Sequence, residues 1–210
     1  MSFLDKLNER YATKAMNGEV VPQGKIENIL EAIRLAPTSS GLQPFEVFVV
    51  TNDDTKSSIK EIAWNQSQVT DCSHLLVFAA WDNYTEDRIN YMFDLTNEIR
   101  GIKNEGWENY RQMLLDGYPK RDAETNYEHA ARQTYIAFMA AITQAAFEGV
   151  DSTPMEGFDK NALDKIYNTS DLLELMKTNN RLLGEKFVWD NVARNITNQT
   201  KKNLKNKLSC

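Results

Sequence analysis

Residues 128–149, EHAARQTYIAFMAAITQAAFEG, constrain the fold of this chain more than any other stretch. Ala131, Tyr135, Phe138, Ile142 and Ala145 recur at helical spacing and form one apolar stripe, while Ala137, Ala140, Ala141 and Ala146 keep the other faces slim. Slim faces let neighbouring backbones approach closely, so the pattern predicts a central helix contacted on several sides. Gly149 then ends it as a C-terminal cap.

Shorter elements group around that helix. Ser2 with Asp5 reads as a capping box opening a short helix through Phe3, Leu4 and Leu7 to about Arg10. Pro22 suits a first helical turn; Ile26, Ile29, Leu30 and Ile33 line one face until Pro37 stops the pattern. FEVFVV (45–50) and HLLVFAAW (74–81) read as buried strands, with a short helix and loop between them. Residues 84–118 are helical in pattern but polar, with Trp107, Tyr110 and Tyr118 serving either as plain packing or as a lid. Few strands among many helices, in mixed order, predict an α+β fold.

Composition narrows the function classes. A net charge of -6 over 210 residues gives no basic face for phosphate backbones, so nucleic acid is not an expected partner. Two cysteines, Cys72 and Cys210, and two histidines, His74 and His129, make neither a disulfide framework nor a zinc site, and no metal is expected. No run reaches membrane-spanning length and the first residues lack an apolar signal core, so a reduced, cytoplasmic protein is expected. The Asn-x-Thr triplets at Asn195 and Asn198 then carry no meaning as glycosylation sites. His74 reads as a satisfied core histidine and Cys72 as inert.

Three polar clusters sit at element boundaries, where binding residues concentrate. In RYATK (10–14), Arg10 and Lys14 are either a solvated pair at a helix end or an anion clamp, with Arg forking onto phosphate oxygens. In PTSSGLQP (37–44), hydroxyls and backbone donors either make a turn or wrap an anion or the polar edge of a ring. Gln43 precedes Pro44 and is expected in extended geometry. In PMEGFD (154–159), Gly157 allows the backbone close to a flat ligand, or the stretch is an ordinary loop with Asp159 as N-cap.

Taken together and in order, LNERYATKAM, ILEAIRLAPTSSGLQPFEVFVV, AWNQSQVTDCSHLLVFAA and AARQTYIAFMAAITQAAFEGVDSTPMEGFD resemble the FMN-dependent nitroreductase family, in its small oxygen-insensitive NAD(P)H and dihydropteridine reductase-like branch. The resemblance covers about residues 2–166. It implies a nitroreductase-like α+β fold, with a central mixed or antiparallel sheet flanked by helices, and an intertwined homodimer binding FMN at the subunit interface. It also implies that Arg10, Tyr11, Ala12 and Lys14 line the phosphate, ribityl chain and pyrimidine edge, with Asn65 and Gln68 beside the ring. Pro154, Met155, Glu156 and Gly157 would run along the flavin, the Glu156 N–H directed at N5. Pro37, Thr38, Ser39 and Gly41 would come from the partner subunit.

The activity so implied is an NAD(P)H oxidoreductase reducing nitroaromatics, quinones or similar planar acceptors by a ping-pong hydride mechanism, with NADH or NADPH as co-substrate. The flavin would carry the chemistry, so no catalytic side chain is named. The alternative is a flavin-binding or degenerate dimeric protein with little turnover. It arises because residues 167–210 depart from the family as a divergent or frame-shifted tail, offering neither the expected apolar strand nor its basic segment. Residues 171–210 hold eight Lys/Arg against four Asp/Glu. Whether Arg181, Lys186 or Arg194 stands in for the missing phosphate cations is left open.

Overall fold

A computed structural model describes residues 2–168; the departing tail lies beyond them apart from its first two residues. Helix α1 (Phe3–Glu9) opens with the expected capping box, Ser2 and Asp5 each bonding the other's backbone N–H. Helix α2 (Gln23–Arg34) starts directly after Pro22 and buries Ile26, Ile29 and Ile33. Strand β1 (Phe45–Val50) follows, then α3 (Asp53–Ile62), the single turn α4 (Gln68–Asp71) and strand β2 (Leu75–Ala80). Helices α5 (Glu86–Arg100), α6 (Glu105–Gly117), α7 (Ala123–Glu148) and α8 (Lys160–Asn168) complete the described chain.

The two strands pair antiparallel, from Phe45 opposite Ala80 to Val50 opposite Leu75. Their alternation decides the layers. Phe45, Val47, Leu76 and Phe78 join Ile26, Ile29 and Ile33 of α2 and Ala137, Ala141 and Ala145 of α7 on one face. Phe48, Val50, Leu75 and Val77 face Ile59 of α3 and Leu163 and Ile166 of α8 on the other. This period-two split is what a sheet covered on both sides requires. The α+β reading holds, with two strands among the described residues.

The chain divides into two compact units, residues 2–81 with 130–168, and residues 82–129. The first is the sandwich just described. The second is the α5–α6 hairpin, with Ile89, Phe93, Leu114, Tyr84 and Tyr118 buried. Arg111 staples it, donating from Nε to Asn90 Oδ1 at 2.9 Å and from Nη2 to Asp94 Oδ1 at 2.6 Å. Trp107 stacks on Phe93 at 4.3 Å and Tyr118 lies 4.5 Å from Tyr84, so these aromatic side chains pack within this unit. No helix among the described residues is long and apolar enough to cross a membrane.

Helix α7 departs from the predicted stripe. Its buried line is Asn126, Ala130, Gln133, Thr134, Ala137, Ala141 and Ala145, whereas Tyr135, Ile136, Met139 and Phe147 are exposed. Ala137, Ala141 and Ala145 face the sheet because small residues allow the helix to lie close against it; of the large residues Phe138 still meets Phe78 of β2, whereas Tyr135, Ile136, Met139 and Phe147 point away.

Candidate functional site

Within the first unit, the RYATK and PMEGFD clusters meet at the loop that follows α7, joined there by the segment that carries Asn65 and Gln68. Arg10 donates from Nη2 to the Ser152 carbonyl at 3.4 Å, and the Thr153 hydroxyl donates to the Thr13 carbonyl. From the other side, Gln66 Nε2 reaches the Gly157 carbonyl at 3.3 Å, and the Asp159 N–H reaches the Ile62 carbonyl at 2.9 Å. Met155 and Phe158 sink between these anchors onto Val50, Ile59, Ala63 and Val69. Asp159 then caps α8 through the N–H groups of Asn161 and Ala162. Residues 10–14, 62–68 and 152–159 therefore form one continuous surface.

That surface offers unused donors. The N–H groups of Met155, Glu156 and Gly157 donate to no atom among the described residues, while the Glu156 carbonyl is taken by the Phe158 N–H at 3.1 Å. Arg10 Nε is buried without an acceptor among the described residues. Neither Arg10 nor Lys14 has a carboxylate partner among the described residues, and Lys14, Tyr11 and Ala12 are exposed. A buried guanidinium nitrogen without an acceptor is costly unless something else supplies one. N–H groups in a row without acceptors among the described residues, beside two cations without a carboxylate partner there, form an anion- and acceptor-seeking edge.

Of the ring-flanking residues expected from the sequence, Asn65 is exposed, while Gln68 is buried and donates from Nε2 to Gln66 Oε1 at 3.0 Å. Trp64, which drew no attention in the sequence, has its ring pressed on Gly157. A Cβ at Gly157 would come within 2.5 Å of the indole. The flat group whose approach Gly157 permits within the chain is thus Trp64.

The PTSSGLQP cluster lies elsewhere. Thr38 precedes a 3-10 turn at Ser39–Gly41, closed by the Gly41 N–H onto the Thr38 carbonyl at 3.0 Å. The Ser39 N–H donates to Gln133 Oε1 of α7 at 2.8 Å, and the Gln43 N–H to Thr38 Oγ1 at 3.1 Å. Gln43 is not extended as expected. It has φ +44, and its side-chain amide bonds the Arg34 carbonyl. The following proline disfavours the right-handed helical region, and the left-handed one satisfies that constraint while turning the amide back onto α2.

Gln133 and Tyr135 are two residues apart on α7, a rotation of about 200° at the helical repeat. Gln133 holds the 37–43 loop, whereas the Tyr135 hydroxyl donates to the Glu156 carboxylate. Thr38 and Glu156 are therefore tied to opposite faces of one helix, and a single chain does not bring all three clusters together. All four non-glycine residues with positive φ among the described residues, Ser40, Gln43, Trp64 and Asn65, fall in the 37–43 and 62–68 loops. Such strained conformations concentrate at functional sites.

Titration effects lie outside this surface. Burial pushes the Cys72 thiol up, and burial followed by the charge of Lys56 pushes His74 down. His74 bonds Ser73 Oγ at 2.8 Å through Nδ1, so the ring is satisfied as expected, but it is half-buried and not a core residue.

Sequence reasoning missed Trp64, Gln66, Gln133 and the outward role of Tyr135. Gln133 had a signal, a polar residue within an alanine-rich helix stripe. Trp64 had none, because its partner is 93 residues away in sequence.

The sequence matches the Nitroreductase family over residues 7–178. A Staphylococcus haemolyticus protein named "Putative NAD(P)H nitroreductase SH0546" is 34% identical over 179 residues, covering 79% of this chain and 77% of that one. Bacillus subtilis "Putative NAD(P)H nitroreductase YfkO" is 32% identical over 180 residues, covering 81% of each. The fold is similar to that of "a putative nitroreductase in complex with FMN" from Exiguobacterium sibiricum, with TM-score 0.70 and 18% identity over 81% of each chain. A family match over most of the length, joined to relatives above 30% identity across four fifths of the chain, means that this protein belongs to the nitroreductase family.

Proposed function

We propose that the chain is an FMN-dependent NAD(P)H oxidoreductase acting on nitroaromatics, quinones or similar planar acceptors. The observation that carries the reading is the row of N–H groups at Met155, Glu156 and Gly157 with no acceptor among the described residues, stitched to a segment whose Arg10 and Lys14 have no carboxylate partner among them. A phosphate with nearly two negative charges suits Arg10 and Lys14, each charge-assisted hydrogen bond contributing about 1.5–3 kcal/mol. The polar edge of a flavin suits the free N–H row, with Glu156 facing N5, and Tyr11, Ala12, Asn65, Gln68 and Pro154 completing the contact. The chemistry that bound FMN supplies is hydride exchange in two half-reactions, from NADH or NADPH to the acceptor. The chain's part is to hold the phosphate, orient the ring and leave one face open.

The functional unit is a homodimer. Thr38 and Ser39 sit on the α7 face opposite Tyr135, so Pro37, Thr38, Ser39 and Gly41 serve the site of a second copy. The outward Tyr135, Ile136, Met139 and Phe147 supply apolar surface for that meeting, of the kind that marks interfaces.

Purified protein should be yellow and should bleach when NADH or NADPH is added without oxygen. Double-reciprocal plots should run parallel, and the particle should sediment as a dimer. Colourless protein that takes up no added FMN overturns the reading; flavin that binds but does not bleach leaves a binder without turnover.

A further inference from the structure

Glu156 is exposed, pairs with no Lys, Arg or His among the described residues, and has one side-chain partner, the phenol of Tyr135. Tyr135 is 55% exposed, yet its ring is not loose. It meets Phe138 edge-on at 6.1 Å, and Phe138 meets Phe78 of β2 edge-on at 5.0 Å. A line of aromatic rings thus runs from the sheet to the phenol, and the phenol ends on the Glu156 carboxylate. The Glu156 carbonyl is fixed separately by the Phe158 N–H. With carboxylate and carbonyl both held, the direction of the remaining N–H of this residue is set.

We propose that Tyr135 is a positioning residue, its phenol holding Glu156 so that the residue 156 N–H is aimed at the flavin edge and its negative charge is kept at a fixed distance. This rests on the flavin reading above. It assigns a task to a large side chain on the outward face of α7, where packing against the sheet gives it none. Two consequences follow from the chemistry. A phenol that donates to a carboxylate withdraws part of its negative charge, so losing the donor leaves more charge beside the ring and disfavours flavin reduction. Losing the anchor also lets the N–H wander, which weakens the complex.

The test uses the full chain stripped of flavin, with FMN binding followed by fluorescence and the midpoint potential of the bound flavin measured by dye equilibration. Y135F keeps the ring and removes the hydroxyl; E156Q keeps an acceptor for the phenol; E156A removes it. Y135F should weaken FMN binding about five- to tenfold, the loss expected of one partly exposed charge-assisted hydrogen bond. It should also lower the potential. E156Q should bind within about twofold of wild type, because an amide oxygen accepts the same bond. E156A should lose as much affinity as Y135F, and the double variant Y135F/E156A no more than either, since both remove one interaction. Wild type that takes up no FMN removes the flavin reading, and this inference with it. Wild type that binds while Y135F matches it in both affinity and potential overturns this inference alone. So does a double variant whose losses add, and E156A with unchanged affinity decides the point should Y135F fail to fold.

Discussion

The 37–43 and 152–159 loops are built from the same residue types, Pro, Gly and short polar side chains at a helix end, yet they treat their backbone donors in opposite ways. In the first, the N–H groups of Ser39, Gly41, Leu42 and Gln43 all have acceptors within the chain. In the second, three consecutive N–H groups have none among the described residues, while the flanking carbonyls of Ser152 and Gly157 are anchored. Turn-forming composition alone does not separate a finished turn from a receptive edge. The difference lies in what distant parts of the chain bring to each loop: Gln133 offers the first an acceptor, whereas Arg10, Gln66 and Tyr135 bring donors to the second.

This contrast can be broken by substitution. The largest effect is expected at the receptive edge. Arg10→Ala removes a half-buried guanidinium that has no carboxylate partner among the described residues, and should raise the FMN dissociation constant about 10- to 100-fold in a fluorescence titration, the range for losing charge-assisted bonds to phosphate. Arg10→Lys should recover part of that, by charge without the fork. Next comes Gly157→Ala, whose Cβ would meet the Trp64 indole; because that ring is exposed and can shift, melting should show a loss of about 1–2 kcal/mol, the lower part of the overpacking range, relieved in the double variant with Trp64→Ala. The smallest change is expected in the finished turn. Gln133→Ala leaves the Ser39 N–H without its acceptor and should cost about 1 kcal/mol by denaturant titration, with FMN affinity of a stable dimer little altered. A larger effect of Gln133→Ala than of Arg10→Ala on FMN binding would invert the assignment of the two loops.

Much of the architecture was legible because it rests on local chemistry. The Ser2–Asp5 cap, the start of α2 after Pro22, and both strands come from patterns of two to eight residues, and all appear within a residue or two of where the sequence puts them. The face of α7 was not legible in the same way. Two stripes compete there, one bulky and one small, and burial went to the small one, since close helix–sheet contact favours alanine over Tyr135 and Met139. Gln43 shows another limit, because a proline neighbour forbids one conformation without choosing among the rest. In the candidate site, the sequence clusters drew attention to residues 10–14 and 154–157, and both lie on one surface. What ties them, Thr153 to Thr13 and Tyr135 to Glu156, spans 140 and 21 residues with no periodic signature.

The alanine line on α7 acts as a shim. Ala137 is fully buried and Ala141 nearly so, and their methyl groups set the gap between the helix axis and the strands. A thicker side chain at either position would translate the whole rod outward, carrying Gln133 and Tyr135 with it in opposite senses relative to the loops that they grip. Two anchor points on opposite sides of one cylinder are thus calibrated by the same pair of methyls, far from either.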